Sequence, residues 1–119
     1  MQVVPFHCQA YGGLADVEGI IRHDAEVLTI QFEIKGPIFG LFKSGIKKTR
    51  IPIAEITKLE AITEPLRGRI EIAVRDMNLV ESFPGNKQGR IRLDLKSKDK
   101  EAAEQFAKEL KQAVARGPK

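Results

Sequence analysis

The chain has no tryptophan, one tyrosine and one cysteine in 119 residues. A single thiol excludes an internal disulfide and any cysteine-based zinc cluster. No apolar run approaches the roughly 18 residues that a membrane-crossing helix needs. Residues 1–8 lack a basic start followed by a long apolar stretch, so no secretory leader is expected and a cytoplasmic location is. Internal repeats and low-complexity tracts are missing too. What is present is 42% hydrophobic and 30% charged residues, the balance of a soluble globular domain. The length predicts one domain over residues 1–119, since domains run to about 100–200 residues.

Hydrophobic spacing predicts a series of short strands. Val3 to Cys8 is apolar, but Pro5 makes it an edge strand or a covering arm, so residues 1–15 read as an N-terminal arm or edge strand. Val17 to His23 is a second strand, followed by a tight connection at Asp24-Ala25. Val27 to Lys35 alternates Leu28, Ile30, Phe32 and Ile34 against Thr29, Gln31 and Glu33. That period of two puts one face on a core and the other in water. Gly36-Pro37 ends it. Ile46 to Ile51 sets Lys47, Thr49 and Ile51 opposite Lys48 and Arg50.

Pro52 to Glu55 reads as a turn. Thr57 to Thr63 suits a strand, although Ile56, Leu59 and Ile62 also fit a helical turn. Arg69 to Arg75 alternates again, Leu79 to Phe83 is a weaker strand, and Arg90 to Lys96 alternates through Ile91, Leu93 and Leu95. Between the last two, Pro84-Gly85-Asn86 has turn chemistry. The period then changes. Ala102, Ala103, Phe106, Ala107, Leu110, Ala113 and Val114 fall at helical spacing. Asp99 is the expected N-cap, Glu101 and Glu104 suit the positive end of the helix dipole, and Gly117-Pro118 is a stop signal.

Strands in series, without crossover helices, cannot build a parallel sheet. The expected class is therefore mainly β with one C-terminal α-helix. It would be a bent antiparallel sheet, or partly open barrel, of about seven strands. The helix carries an apolar stripe and is expected to plug an open end.

Three stretches carry a family resemblance. They are Val17-Glu18-Gly19-Ile20-Ile21 with Asp24 and Leu28, then Ile51-Pro52-Ile53-Ala54-Glu55-Ile56, and the closing helix with Phe106 and Leu110. Together they resemble the pleckstrin-homology-like (PH-like) superfold, more specifically the short bacterial PH-like proteins, over about residues 16–116. The terminal helix lacks the Trp usual in eukaryotic members. The resemblance implies a binding module for lipid headgroups, peptides or protein surfaces, and it does not imply catalysis. Some bacterial members look like ring-forming oligomers.

Residues 35–50 are chemically distinct. They hold five cations and no acid, whereas the rest of the chain has fifteen cations against sixteen acids, net −1. Ile38, Phe39, Leu41 and Phe42 sit there in a glycine-punctuated connection, where polar residues are the rule. An apolar tip ringed by Lys35, Lys43, Lys47, Lys48 and Arg50 is the composition of a membrane-interface wedge. Lys48-Thr49-Arg50 preceded by Lys43 also resembles the spaced basic pattern with which PH domains grip phosphoinositides. Three readings stand side by side. The apolar tip binds an anionic membrane surface or headgroup, or it forms a protein–protein or homo-oligomer contact, or it folds down as core with solvated lysines around it.

Other clusters do not reach the pattern of a site. His7 and Cys8 are strand neighbours facing opposite ways, a surface imidazole and a buried thiol, and they cannot chelate one ion together. Cys8 and His23 match no nucleophile motif. Gly36 and Gly40 fail the spacing of a phosphate loop, because Leu41 stands where its second glycine belongs. Glu55, Glu60 and Glu64 read as solvated charges. Arg67, Arg69, Arg90 and Arg92 prompt a nucleic-acid test, but only Phe39, Phe42 and Tyr11 are available to stack on bases. Glu71 and Asp94 interleave with the arginines, so cross-strand salt bridging explains them better. No catalytic residue, metal, cofactor or nucleic-acid partner is expected.

Overall fold

The computed structural model describes residues 3–10, 15–24, 26–35, 43–64, 67–84, 86–95 and 100–116. Seven strands form one antiparallel sheet: β1 (Val3–Ala10), β2 (Ala15–His23), β3 (Val27–Lys35), β4 (Lys43–Pro52), β5 (Ile56–Glu64), β6 (Arg67–Val74) and β7 (Arg90–Leu95). A single helix, α1 (Lys100–Arg116), follows. The strand order is β4-β3-β2-β1-β7-β6-β5, so two meanders meet at β1 and β7 and the sheet ends at β4 and β5 without closing. The chain is thus mainly β with one C-terminal helix, as the alternation and the missing crossovers required.

Alternation places the core. Val4, Phe6 and Cys8 of β1 lie on the same side as Val17 and Ile21 of β2, as Leu28, Ile30 and Phe32 of β3, and as Ile91, Leu93 and Leu95 of β7, all buried. α1 adds Ala103, Phe106, Ala107 and Leu110 to this core at the predicted spacing. The helix lies across β5, β1, β6 and a 3-10 turn at Ile53–Glu55. Burying Phe106 contributes roughly 1.5–3 kcal/mol. The expected N-cap Asp99 and stop Gly117-Pro118 lie outside the described residues.

Two expectations change and one open choice is settled. β1 is neither an arm nor an edge, since it lies between β2 and β7. Among the described residues its pairing with β7 is the single bridge His7↔Asp94, and Pro5 sits opposite Ile20 in the β2 ladder. The strand expected over Leu79 to Phe83 is instead a 3-10 turn, Met77–Val80, with a further turn after it. Val80 and Phe83 drop from it into the core. The ambiguous stretch at 57–63 is a strand, with its register shifted between Ile56 and Lys58.

Gly19 permits the close approach of the β3 backbone to β2. It faces Phe6 on one side and Phe32 on the other. A Cβ added there would collide with the Gln31 carbonyl oxygen and stand 2.8 Å from the Phe32 Cα. At the β2–β3 turn the Asp24 carboxylate accepts from the Glu26 and Val27 amides at 2.7 and 2.8 Å. Those two bonds hold its pKa below the ordinary value.

Candidate functional site on the β4 edge

β4 carries the described half of the basic segment. Ile46, Lys47, Lys48 and Arg50 are all exposed, and Ile46 keeps 69% of its surface in solvent. Pairing with β3 sets Ile46 opposite Glu33, Lys47 opposite Phe32, Lys48 opposite Gln31 and Arg50 opposite Thr29. Lys47 shares the side of Thr49 and Ile51, which are buried, while Lys48 and Arg50 share the outer side of the sheet. The structure therefore brings Lys48 and Arg50 together and turns Lys47 away from them. Among the described residues no ion pair involves Lys47, Lys48 or Arg50.

Lys35 behaves differently. It ends β3 and pairs with Glu18 Oε2 at 3.2 Å, across the β2–β3 ladder. Lys43 opens β4 opposite Lys35. Ile38, Phe39, Leu41 and Phe42 lie outside the described residues. Gly45 takes a φ of +78°, in the left-handed region that favours glycine, close to the register shift between Glu33 and Lys35. Thr49 is buried, and its Oγ1 lies 3.5 Å from Ser82 Oγ, which ties β4 to the turn that plugs the core.

A second feature gave no sequence signal. Beside the β1–β7 seam lies a cleft of about 730 Å³, bordered by Cys8, Gln9, Arg90 and Arg92 among others. Its origin is visible in the hydrogen bonding. Val74 donates to the Gly89 carbonyl, and Arg90 exchanges backbone bonds with Lys87. In β7, then, residues 90, 92 and 94 aim their amides and carbonyls away from β6. Asp94 meets His7 of β1, but the next such position, Arg92 opposite Gln9, forms no bridge, and the ladder stops. Detecting that break requires the strand order, which is non-local.

The chemistry at this seam is that of a quiet surface. Burial pushes the Cys8 thiol up to about 11, helped by the Asp94 charge and opposed by Arg92. The thiol is protonated at neutral pH and is a poor nucleophile. Charges around it pair along their own strands: Lys58 with Glu60 at 3.1 Å, Arg69 with Glu71 at 3.7 Å and Arg92 with Asp94 at 3.5 Å. The cross-strand bridges expected for the arginines are therefore corrected: register sets Arg69 opposite Asp94 and Arg92 opposite Glu71, but the ion pairs that form among the described residues run along each strand, where the i, i+2 side chains share a face.

His7 is exposed and Cys8 buried, as the alternation required. His23 lies six residues beyond Val17, the partner of Cys8, so the two do not meet. Its ring stacks edge-on to Phe106 at 4.9 Å, with Nε2 3.9 Å from Glu109. Among the described residues no group of His, Cys, Asp or Glu side chains could hold a metal ion. No helix among them is long and apolar enough to cross a membrane. Comparison with family models, with curated proteins and with solved structures returned no match for this chain.

Proposed function

We propose that this chain is a non-catalytic, PH-like binding module that attaches reversibly to anionic membrane surfaces at the cytoplasmic face, through residues 35–50. One observation carries the reading. Three cations on β4 stand in solvent beside an exposed isoleucine, and their β3 partners are Phe32, Gln31 and Thr29, none of which carries a charge. No residue directly opposite Lys47, Lys48 or Arg50 carries a charge, and no ion pair among the described residues engages them. Each such cation contributes about 1 kcal/mol at an anionic surface. A partly inserted apolar side chain adds to this, which makes attachment reversible and not permanent. A seven-stranded antiparallel sheet built of two meanders, followed by one helix on its apolar face, supports the PH-like part of the reading.

Co-sedimentation with vesicles tests it. Binding is expected to vesicles containing phosphatidylglycerol and not to pure phosphatidylcholine, and to weaken with added salt. A Lys47→Gln, Lys48→Gln, Arg50→Gln variant is expected to lose about thirtyfold in affinity, at about 1 kcal/mol each from Lys48 and Arg50 and little from Lys47 on the other face. Equal binding to neutral vesicles, or no binding to either, overturns the proposal. In the second case an increased sedimentation mass would favour a protein contact through the loop or a sheet edge.

A further inference from the structure

The sequence segment ends at Arg50, but the sheet extends its charge onto a strand far away in the chain. By register, Arg50 of β4 faces Thr29 of β3, which faces Arg22 of β2, which faces Val3 of β1. The adjacent row runs Lys48, Gln31, Ile20 and Pro5. Both rows lie on the side of the sheet away from Ile21, Leu28, Ile30 and Ile51, which are buried. Neither row contains a carboxylate, and α1 packs on the other face. Carboxylates mark the borders. Glu33 and Glu18 stand in the row beside Ile46, with Glu18 taken by Lys35, and Asp24 and Glu26 sit at the β2–β3 turn.

We propose that the outer face of β2, β3 and β4 is the membrane-docking plane, with Arg22 as its third cation beside Lys48 and Arg50. This rests on the reading above and names the surface through which it acts. Arg22 and Arg50 are separated by two strand spacings, about 9.6 Å, and Lys48 and Arg50 by two residues along β4, about 6.6 Å. Among the described residues no ion pair or hydrogen bond engages the Arg22 side chain. The apolar members decide the occupant. Ile46 at 69% exposure and Val3 at 48% gain by entering a lipid interface, whereas a soluble polyanion offers them nothing.

Four single variants separate the outcomes on vesicles containing phosphatidylglycerol at low salt. Arg22→Gln is expected to weaken binding about fivefold, and Arg22→Lys to restore it. Thr29→Glu, which sets a carboxylate between Arg22 and Arg50, is expected to abolish most binding. Lys108→Gln removes the same charge from the exposed side of α1 and is expected to change binding less than twofold. Equal losses from Arg22→Gln and Lys108→Gln overturn the proposal, because only net charge is then sensed. If Arg22→Gln and Thr29→Glu bind normally while the β4 triple variant does not, the docking plane is wrong and the basic segment stands. Absence of binding by the parent chain overturns both. A final arm uses inorganic polyphosphate. Ile46→Ser should weaken vesicle binding and leave polyphosphate untouched, and loss of neither under Ile46→Ser, with loss of both under Arg22→Gln, identifies a soluble polyanion site and overturns the membrane.

Discussion

Burial decides the chemistry of Cys8. The residue is 7% exposed and its pKa rises from 9.0 to about 11. The thiolate fraction near neutrality is then about a hundredfold below that of an unfolded thiol. Labelling by a thiol reagent at pH 7.5 should be about a hundredfold slower in the native chain than in urea, and should accelerate tenfold per pH unit until about 11. Fast native labelling at neutral pH would contradict the burial. The sign for stability follows. The folded pKa lies above the unfolded one, so the contribution of the thiol is intact below pH 9 and is lost as pH climbs towards about 11. Cys8→Ala should flatten that part of an alkaline unfolding curve. Alternation alone exposed this pair of roles in the sequence, His7 outward and Cys8 inward. Gly19 was not legible in the same way. Its requirement comes from the Gln31 carbonyl, which only the β2–β3 pairing brings against it.

Phe83 shows what an element hides from a local reading. Leu79 to Phe83 has strand-like composition, yet the Asp76 carboxylate accepts from the Asn78 amide at 3.0 Å and starts a 3-10 turn. The turn that follows, closed by the Phe83 amide donating to the Val80 carbonyl at 3.0 Å, sets Val80 and Phe83 three residues apart, and both enter the core. Phe83 then packs against Phe6 of β1 at 6.2 Å and Phe32 of β3 at 5.0 Å. It joins two strands of the first meander to the connection that leads into β7. Phe83→Ala should cost about 3–5 kcal/mol in urea unfolding. Met77→Ala, on the same turn but exposed, should stay within about 0.5 kcal/mol. Similar costs for the two would mean that Phe83 is not a core residue. β3 and α1, by contrast, were readable from their periods, because each repeats one pattern long enough to define a face. Pro5 misled because the rule that proline marks an edge is local, whereas the place of β1 between β2 and β7 follows from strand order.

At the scale of the whole molecule, the open sheet leaves two strand ends of the order, β4 and β5. The concentration of charge in residues 35–50 was legible in the sequence. Its assignment to an edge, and its continuation through Thr29 to Arg22, were not, because strand order and register join residues far apart in the chain. An unpaired edge is a template for another strand, and lysines on it oppose that pairing. Two β4 edges meeting across a two-fold axis would bring Lys47, Lys48 and Arg50 against their own copies, a like-charge contact that disfavours self-association. The basic strand therefore carries a second expected consequence independent of any lipid: opposition to pairing of two copies of the chain through β4. Lys47→Val with Lys48→Thr removes that repulsion and raises strand propensity together. Light scattering should show the particle mass of this variant rising with concentration above that of the parent chain, and high salt should narrow the difference by screening the parent's charges. An unchanged mass across the concentration series would mean that this edge is shielded by something other than its lysines.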